Sequence, residues 1–344
     1  MNSPQILPDA TASTPDPATF APGSEGLVFA WEIHGNGSGR ELNWKAVREG
    51  WNQKGLIWLH LHFEHPTANR WLREKSGIEE SLLPYLLSDD SRPGAVVHEN
   101  RLILIMRGIN ANRGAEPEDL ITLRLYLAPD QIISLRRRRV QTMQATHQDL
   151  LEGHGVRNAS QFLIEVIARI VERIGDHVET LEERLSQLEQ QLLNNEIDGL
   201  GAGLQELQSD LIDLRRYLHP QRIMFGKLLD VELDWLDDGT YNRIRTQVEF
   251  HTRHVEDIDY CWQRTQVIKE DLNTRQSEQL NQKLYLLAVV SCVFLPLTLI
   301  TGLLGVNLAG IPMAEHPASF SVLTATMLGI AAIILVYFKR KRWF

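Results

Sequence analysis

The sequence predicts an α+β membrane protein: an α/β domain, then a long helical hairpin, then a stalk helix continuous with the first of two C-terminal transmembrane helices. Three observations predict this order. Strand and helix signals alternate from residue 27 to about residue 137, leucine-rich seams spaced by four and three take over beyond Thr142, and two stretches free of charge, 284–304 and 320–338, close the chain. At 1.5 Å per residue these stretches reach about 31 Å and about 28 Å, close to the hydrocarbon thickness of a bilayer.

The first 25 residues hold five prolines, three acids and no base, which predicts a disordered tail and no secretory signal. Residues 26–141 form the α/β domain. Strands are expected at 27–33 and 55–63 with a helix at 41–51 between them, helical signals follow at 69–87, and four short strands come at 95–98, 101–109, 120–127 and 131–136. Glu99-Asn100 is a short polar turn between β-branched runs. Residues 142–239 carry the hairpin. Its first arm has Ile170, Ile174, Val178, Leu181, Leu185, Leu188 and Leu192 on one seam, and its second returns through Leu204, Leu207, Leu211, Leu214 and Leu218 after the break at 198–203. Pro220 and Asp237-Asp238-Gly239 mark further breaks.

Residues 240–283 are the stalk. No Pro or Gly occurs between Tyr241 and Pro296, so one helix is expected from Tyr241 to Leu304, about 95 Å long. Ile244, Val248, His251, Val255, Ile258, Trp262 and Thr265 form a coiled-coil stripe on it. A lone stalk has nowhere to bury that stripe, which predicts self-association. The outer loop 305–319 lacks Lys and Arg, whereas Lys339-Arg340-Lys341-Arg342 opens the tail 339–344 and Lys283 precedes the first span. The positive-inside rule then places both termini in the cytoplasm, in a multi-pass protein of the inner (plasma) membrane.

A net charge of −9 argues against nucleic acid as a partner and suits a cation. Cys261 and Cys292 are the two cysteines, too few for a disulfide framework or a zinc cage. There is no Walker-type glycine-rich loop and no nucleophile elbow, so neither nucleotide nor enzymatic activity is expected, and transport energy would come from gradients or voltage. His60, His62 and His65 invite a zinc reading, since the first two share a strand face. A half-buried polar sheet face is the reading adopted. Arg136 to Arg139 are read as a solvated or interface run. Asp89, Asp90 and Asp234 are unranked candidates for a regulatory metal site.

Gly305-Val306-Asn307, at the outer end of the first span, resembles the Gly-x-Asn signature of the CorA-type divalent-cation transporters. The preceding Phe294-Leu295-Pro296-Leu297-Thr298-Leu299-Ile300-Thr301-Gly302 is similar to that family's first span, and 339–344 to its basic tail. Val306, where most magnesium-transporting members carry Met, and the following Gly310-Ile311-Pro312 look more like the ZntB-like zinc-transporter branch. The resemblance implies a homopentameric funnel whose first spans line one pore while the second spans face lipid. It also implies that the transported divalent cation is zinc, with magnesium, cobalt, nickel and cadmium as further possibilities and no cofactor. The readings left open beside it are a magnesium or cobalt channel of the same family and a membrane-anchored sensor or scaffold.

Asn307 is the residue expected to admit the ion, because a carboxamide oxygen can hold the water of a hydrated dication without stripping it. A helix cap or turn is its other reading, as a helix C-cap is for Gly305. One face of the first span shows Thr298, Leu295, Ser291, Leu287 or Ala288, and Leu284. Hydroxyls there can relay hydrated ions and leucines can form apolar constrictions, and the family's pore threonine matches Thr298. Lipid-facing or packing roles stay open for each leucine. Pro296 is read as a bend. Glu315, beside His316 in the outer loop, is a candidate for attracting cations electrostatically, and no resident metal ligand is assigned.

Overall fold

A computed structural model describes residues 25–50, 55–88, 92–306 and 317–340. It divides into two compact units, residues 1–268 and 269–344. In the first unit the strands are β1 (Leu27–Ile33), β2 (Gly39–Glu41), β3 (Leu56–His62), β4 (Gly94–His98), β5 (Arg101–Gly108), β6 (Ile121–Ala128) and β7 (Gln131–Arg136). They make one sheet in the order β2-β1-β3-β7-β6-β5-β4, antiparallel except for the β3–β7 pair. All six expected strands form. β2 is additional; its Gly and Arg hid it among turn residues, and Gly39 is required there because a Cβ would stand 2.7 Å from the Glu32 carbonyl oxygen.

Helices α1 (Trp44–Gly50), α2 (Pro66–Glu74) and α3 (Leu83–Leu87) pack on one face of the sheet. α1 begins later than expected because Asn43 Oδ1 caps it by accepting from the Ala46 N–H at 2.9 Å. The helical signal at 69–87 resolves into two helices. Between them Ser76 Oγ donates to the Leu72 carbonyl and accepts from the Ile78 N–H, and Gly77 takes φ 74°, so the chain turns before Pro84 starts α3. Glu99 and Asn100 have φ 49° and 100°, the left-handed pair of a tight hairpin turn. Asn100 also accepts from Trp235 Nε1–H at 3.0 Å and from the Asp234 N–H at 2.9 Å.

α4 (Gln141–Leu151) and α5 (Ala159–Leu193) supply the opposite face. Phe162 meets Trp58 edge-on at 5.0 Å, and His147 stacks on Phe29 at 4.2 Å. The sheet is therefore covered on both sides. α6 (Leu200–Leu229) returns along α5, and the two leucine seams are buried as expected except for half-buried Leu188. Pro220 does not break α6. Its missing N–H costs a helix bond, but Gln221, Met224, Phe225 and Leu228 lie beyond it and are buried, and Gln221 Oε1 accepts from the Arg107 N–H of β5 at 2.7 Å. Tertiary burial overrides the proline.

α7 (Asp238–Leu304) is a single helix of 67 residues, starting three residues before the expected point. Its stripe corrects the self-association argument. Ile244, Val248, His251, Val255, Ile258 and Thr265 are buried inside the chain's own first unit, with Trp262 half-buried. His251 Nε2 lies 3.3 Å from the Leu218 carbonyl of α6, Gln208 Nε2–H donates to Thr265 Oγ1 at 3.2 Å, and Arg215 and His219 of α6 both reach Asp259. α5 joins through Arg264, which pairs with Glu189, and through Gly175, whose missing side chain makes room for the His254 ring. The stripe has an intramolecular partner and carries no argument for assembly.

In the second unit, residues 269–304 of α7 are followed by α8 (Ser319–Arg340). Both helices are long and apolar enough to cross a membrane. Along α7, Tyr285, Val293, Pro296, Leu297 and Ile300 are half-buried and Val289 is buried; along α8, Ser319, Leu323, Met327, Ile330, Ala331, Ile334 and Phe338 are half-buried. Each set recurs with the period of one helix face, so the hairpin arms shield one stripe apiece.

Replacing Val255 and Ile258 together with Asp is expected to unfold the first unit, because two carboxylates would be buried without partners. The loss should be at least about 4 kcal/mol, read as a collapse of the melting transition of the full chain in detergent. Acid should weaken the same packing. Burial holds His251 down to about 4, against 6.5 when free, so above pH 6.5 it is neutral in both states. Between pH 6.5 and 4 the unfolded chain binds the extra proton and stability falls with pH, by about 3 kcal/mol at the lower limit. His251→Gln should make that part of the stability profile shallower in melts taken across this pH range, with the other buried imidazoles keeping the remaining slope.

Candidate ion path along the first apolar span

Successive α-helical residues are about 100° apart, so Leu284, Leu287, Ala288, Ser291, Leu295 and Thr298 fall within one sector of α7. All six are exposed. Ser291, Leu295 and Thr298 line one open groove with Phe294, Leu299, Gly302 and Leu303. Gly302 extends the sector by one turn; it was not singled out in the sequence, although its position four residues beyond Thr298 gives the phase. Pro296 stands on the shielded face, away from the groove. The sector is the side of α7 that the hairpin leaves uncovered.

Its chemistry is sparse. Thr298 Oγ1–H donates to the Phe294 carbonyl at 2.8 Å, so the outward lone pairs of that oxygen are free to accept. Thr301 Oγ1 similarly reaches the Leu297 and Thr298 carbonyls at 3.0 Å. A charged group is absent from the sector, and the leucines surround the hydroxyls with apolar surface. Above it, the Gly305 N–H closes the helix on the Thr301 carbonyl at 2.8 Å, and a Cβ on Gly305 would sit 2.9 Å from that oxygen. Val306 is exposed. Asn307, Glu315 and His316 lie outside the described residues, as do Asp89 and Asp90.

The histidine motif belongs to the first unit, where His65 is half-buried and His60 and His62 are buried, correcting the half-buried expectation for those two. His60 is 0% exposed and His62 6%, because α4 and α5 cover the face that a single strand pattern left open. Burial, with the charge of Arg136 behind it, pushes the His60 imidazole well below its ordinary range, so it is neutral. His60 Nδ1 lies 2.8 Å from Ser134 Oγ, while His65 caps α2 by accepting from the Thr67 N–H. The three rings serve the fold. Arg136 is buried too, which lowers it to about 10, whereas Arg137 pairs with Glu64 at 2.7 Å and Arg138 with Asp119. Among the described residues no three His, Cys, Asp or Glu side chains are grouped to hold a metal.

The chain is similar to known transport proteins along nearly all its length. It is 29% identical over 316 residues to the zinc transport protein ZntB of Photorhabdus laumondii subsp. laumondii, covering 92% of this chain and 95% of that protein. It is 31% identical over 325 residues to the divalent cation transporter CmaX of Pseudomonas aeruginosa, covering 92% and 97%. The solved structure of full-length CmaX superposes with a TM-score of 0.79 at 28% identity, over 93% of this chain and 99% of that one. The sheet, the long α7 and the two apolar helices are thus a shared architecture. The family model described as "CorA-like Mg2+ transporter protein" matches residues 53–340, and over that span, which includes both apolar helices, the chain belongs to the CorA-like family.

Proposed function

We propose that this membrane protein transports divalent cations, zinc first among them, along the uncovered face of α7. The observation that carries the reading is the conjunction of family membership with a membrane helix whose open sector holds only hydroxyl and apolar groups. Zinc is favoured by the name of the ZntB relative, and CmaX supports the broader class. Several copies must surround a path for one such sector to enclose it. A homopentamer, with first spans inside and second spans toward lipid, is the assembly proposed.

The cation passes largely hydrated. Asn307 amide oxygens at the outer mouth accept hydrogen bonds from its water shell, Thr298 and Ser291 repeat that contact within the membrane, and Leu295, Leu287 and Leu284 form constrictions that empty of water when closed. Gly305 and Val306 set the backbone at the mouth, and Glu315 attracts cations from outside. Weak, sequential contacts permit release, which a ring of carboxylates would slow. The basic run from Lys339 to Arg342 supports a topology with both termini on the cytoplasmic side of the inner membrane, and gradients or voltage supply the driving force. A magnesium or cobalt substrate is the second reading, favoured by the family description.

Uptake into proteoliposomes tests this. Zinc flux is expected, with nickel, cobalt and cadmium competing, since a pathway contacting water shells discriminates weakly among dications of similar hydrated size. Magnesium flux without zinc flux would replace the first reading by the second, and absence of all flux from assembled protein would leave only an anchoring role. Asn307→Ala should assemble normally and lose at least about ten-fold in flux, as alanine cannot hold the shell. Hexamminecobalt(III), an inert mimic of a hydrated ion, should block the parent and lose potency in Asn307→Ala; block independent of Asn307 contradicts its role.

A further inference from the structure

The two arms of the membrane hairpin end in bases at the same depth. Lys283 is 21 residues below Leu304, the last residue of α7, and Arg340 is 21 residues below Ser319, the first of α8, so both lie about 31 Å along their helices from the loop that joins the arms. Lys339 lies beside Arg340 in the last turn. All three are exposed, and none forms an ion pair among the described residues. Arg275, two turns below Lys283, is bonded to Asp271 at 3.1 Å. Immediately inside the bases stand aromatics at matching depth, Tyr285 on one arm and Tyr337 with Phe338 on the other, the last two edge-to-face at 6.0 Å.

Bases at the end of a membrane hairpin lie where a partner outside the chain is at hand. At this depth that partner is the headgroup layer. A phosphodiester accepts charge-assisted hydrogen bonds from an ammonium and, in fork geometry, from a guanidinium, while aromatic rings settle at the boundary between headgroup and acyl chain. Each base near an anionic surface contributes about 1 kcal/mol, so three on one collar select anionic over zwitterionic lipid. We infer that Lys283, Lys339 and Arg340 form a collar that binds the phosphodiester headgroup of anionic phospholipid, with exposed Tyr337 three residues from Arg340 on the same helix face. The inference needs only that the hairpin spans a bilayer and is independent of which cation is carried.

The test uses the full chain reconstituted in an equal mixture of phosphatidylglycerol and phosphatidylcholine, extracted in mild detergent and washed, with retained lipid quantified by mass spectrometry. Phosphatidylglycerol should be enriched at least about five-fold over the bulk ratio. Lys283→Gln, Lys339→Gln and Arg340→Gln combined should return retention to the bulk ratio, with Lys341 and Arg342 left in place to preserve orientation. The charge-conserving set Lys283→Arg, Lys339→Arg and Arg340→Lys should keep the enrichment. Retention at the bulk ratio by the parent, equal enrichment in the Gln variant, or loss in the charge-conserving set overturns the collar. Displacement of the lipid by millimolar inorganic phosphate also overturns it, because the bases would then form a phosphate site.

Discussion

Packing of α7 against α5 and α6 is the contact on which the rest of the first unit depends. α7 could not hold a defined rotation about its axis if its stripe were free, and a helix of 67 residues turned by one position moves every side chain by about 100°. The contact combines shape with polarity. Val255 and Ile258 provide apolar burial, while His251, Thr265 and Asp259 must meet particular acceptors and donors on α6. A sliding of one turn would leave these groups buried without partners, so the register resists drift more strongly than leucine packing alone would.

A different economy rules the membrane hairpin. Hydrocarbon offers no hydrogen-bond partner, and a hydroxyl without one is costly, so Thr298, Thr301, Thr324 and Thr326 all donate to carbonyls of their own helix. Each keeps acceptor capacity while satisfying its proton. This makes a threonine compatible with lipid, with a neighbouring helix or with a passing water shell, and it explains how a transport face can be built without ionised groups.

The sequence displayed elements more clearly than their partners. β3, β5, β6 and β7 stand out as apolar, β-branched runs, and the Glu99-Asn100 turn fixes one hairpin, but β2 is made of Gly, Arg and Glu and gives no strand signal. A 4-3 stripe reveals that a face is buried and is silent about what covers it; hence the stripe on α7 was legible and its intramolecular partner was not. The same gap misplaced His60 and His62, whose strand periodicity is identical whether water or α5 lies above. Pro220 misled for the reverse reason, since a local penalty of a few kcal/mol yields to the burial of Phe225 and Leu228. For the candidate path, helical spacing put Ser291, Leu295 and Thr298 together, with the family's pore threonine fixing the phase, while the chemistry of Asn307 rests on its motif.

Ser134 settles one further matter at the centre of the sheet. Its hydroxyl has a single proton and three neighbours: the Leu59 carbonyl at 3.2 Å, Trp58 Nε1–H at 2.8 Å and His60 Nδ1 at 2.8 Å. Trp58 can only donate. If the serine proton goes to Leu59, His60 must donate as well, and its proton resides on Nδ1 with a bare lone pair on Nε2. Were the serine proton directed to His60 instead, the imidazole would carry its hydrogen on Nε2, which has no acceptor. A buried N–H without an acceptor is rarer and costlier than an idle lone pair. The sheet therefore selects the Nδ1–H tautomer of His60, and one serine hydroxyl dictates where a proton sits on a ring that never meets water.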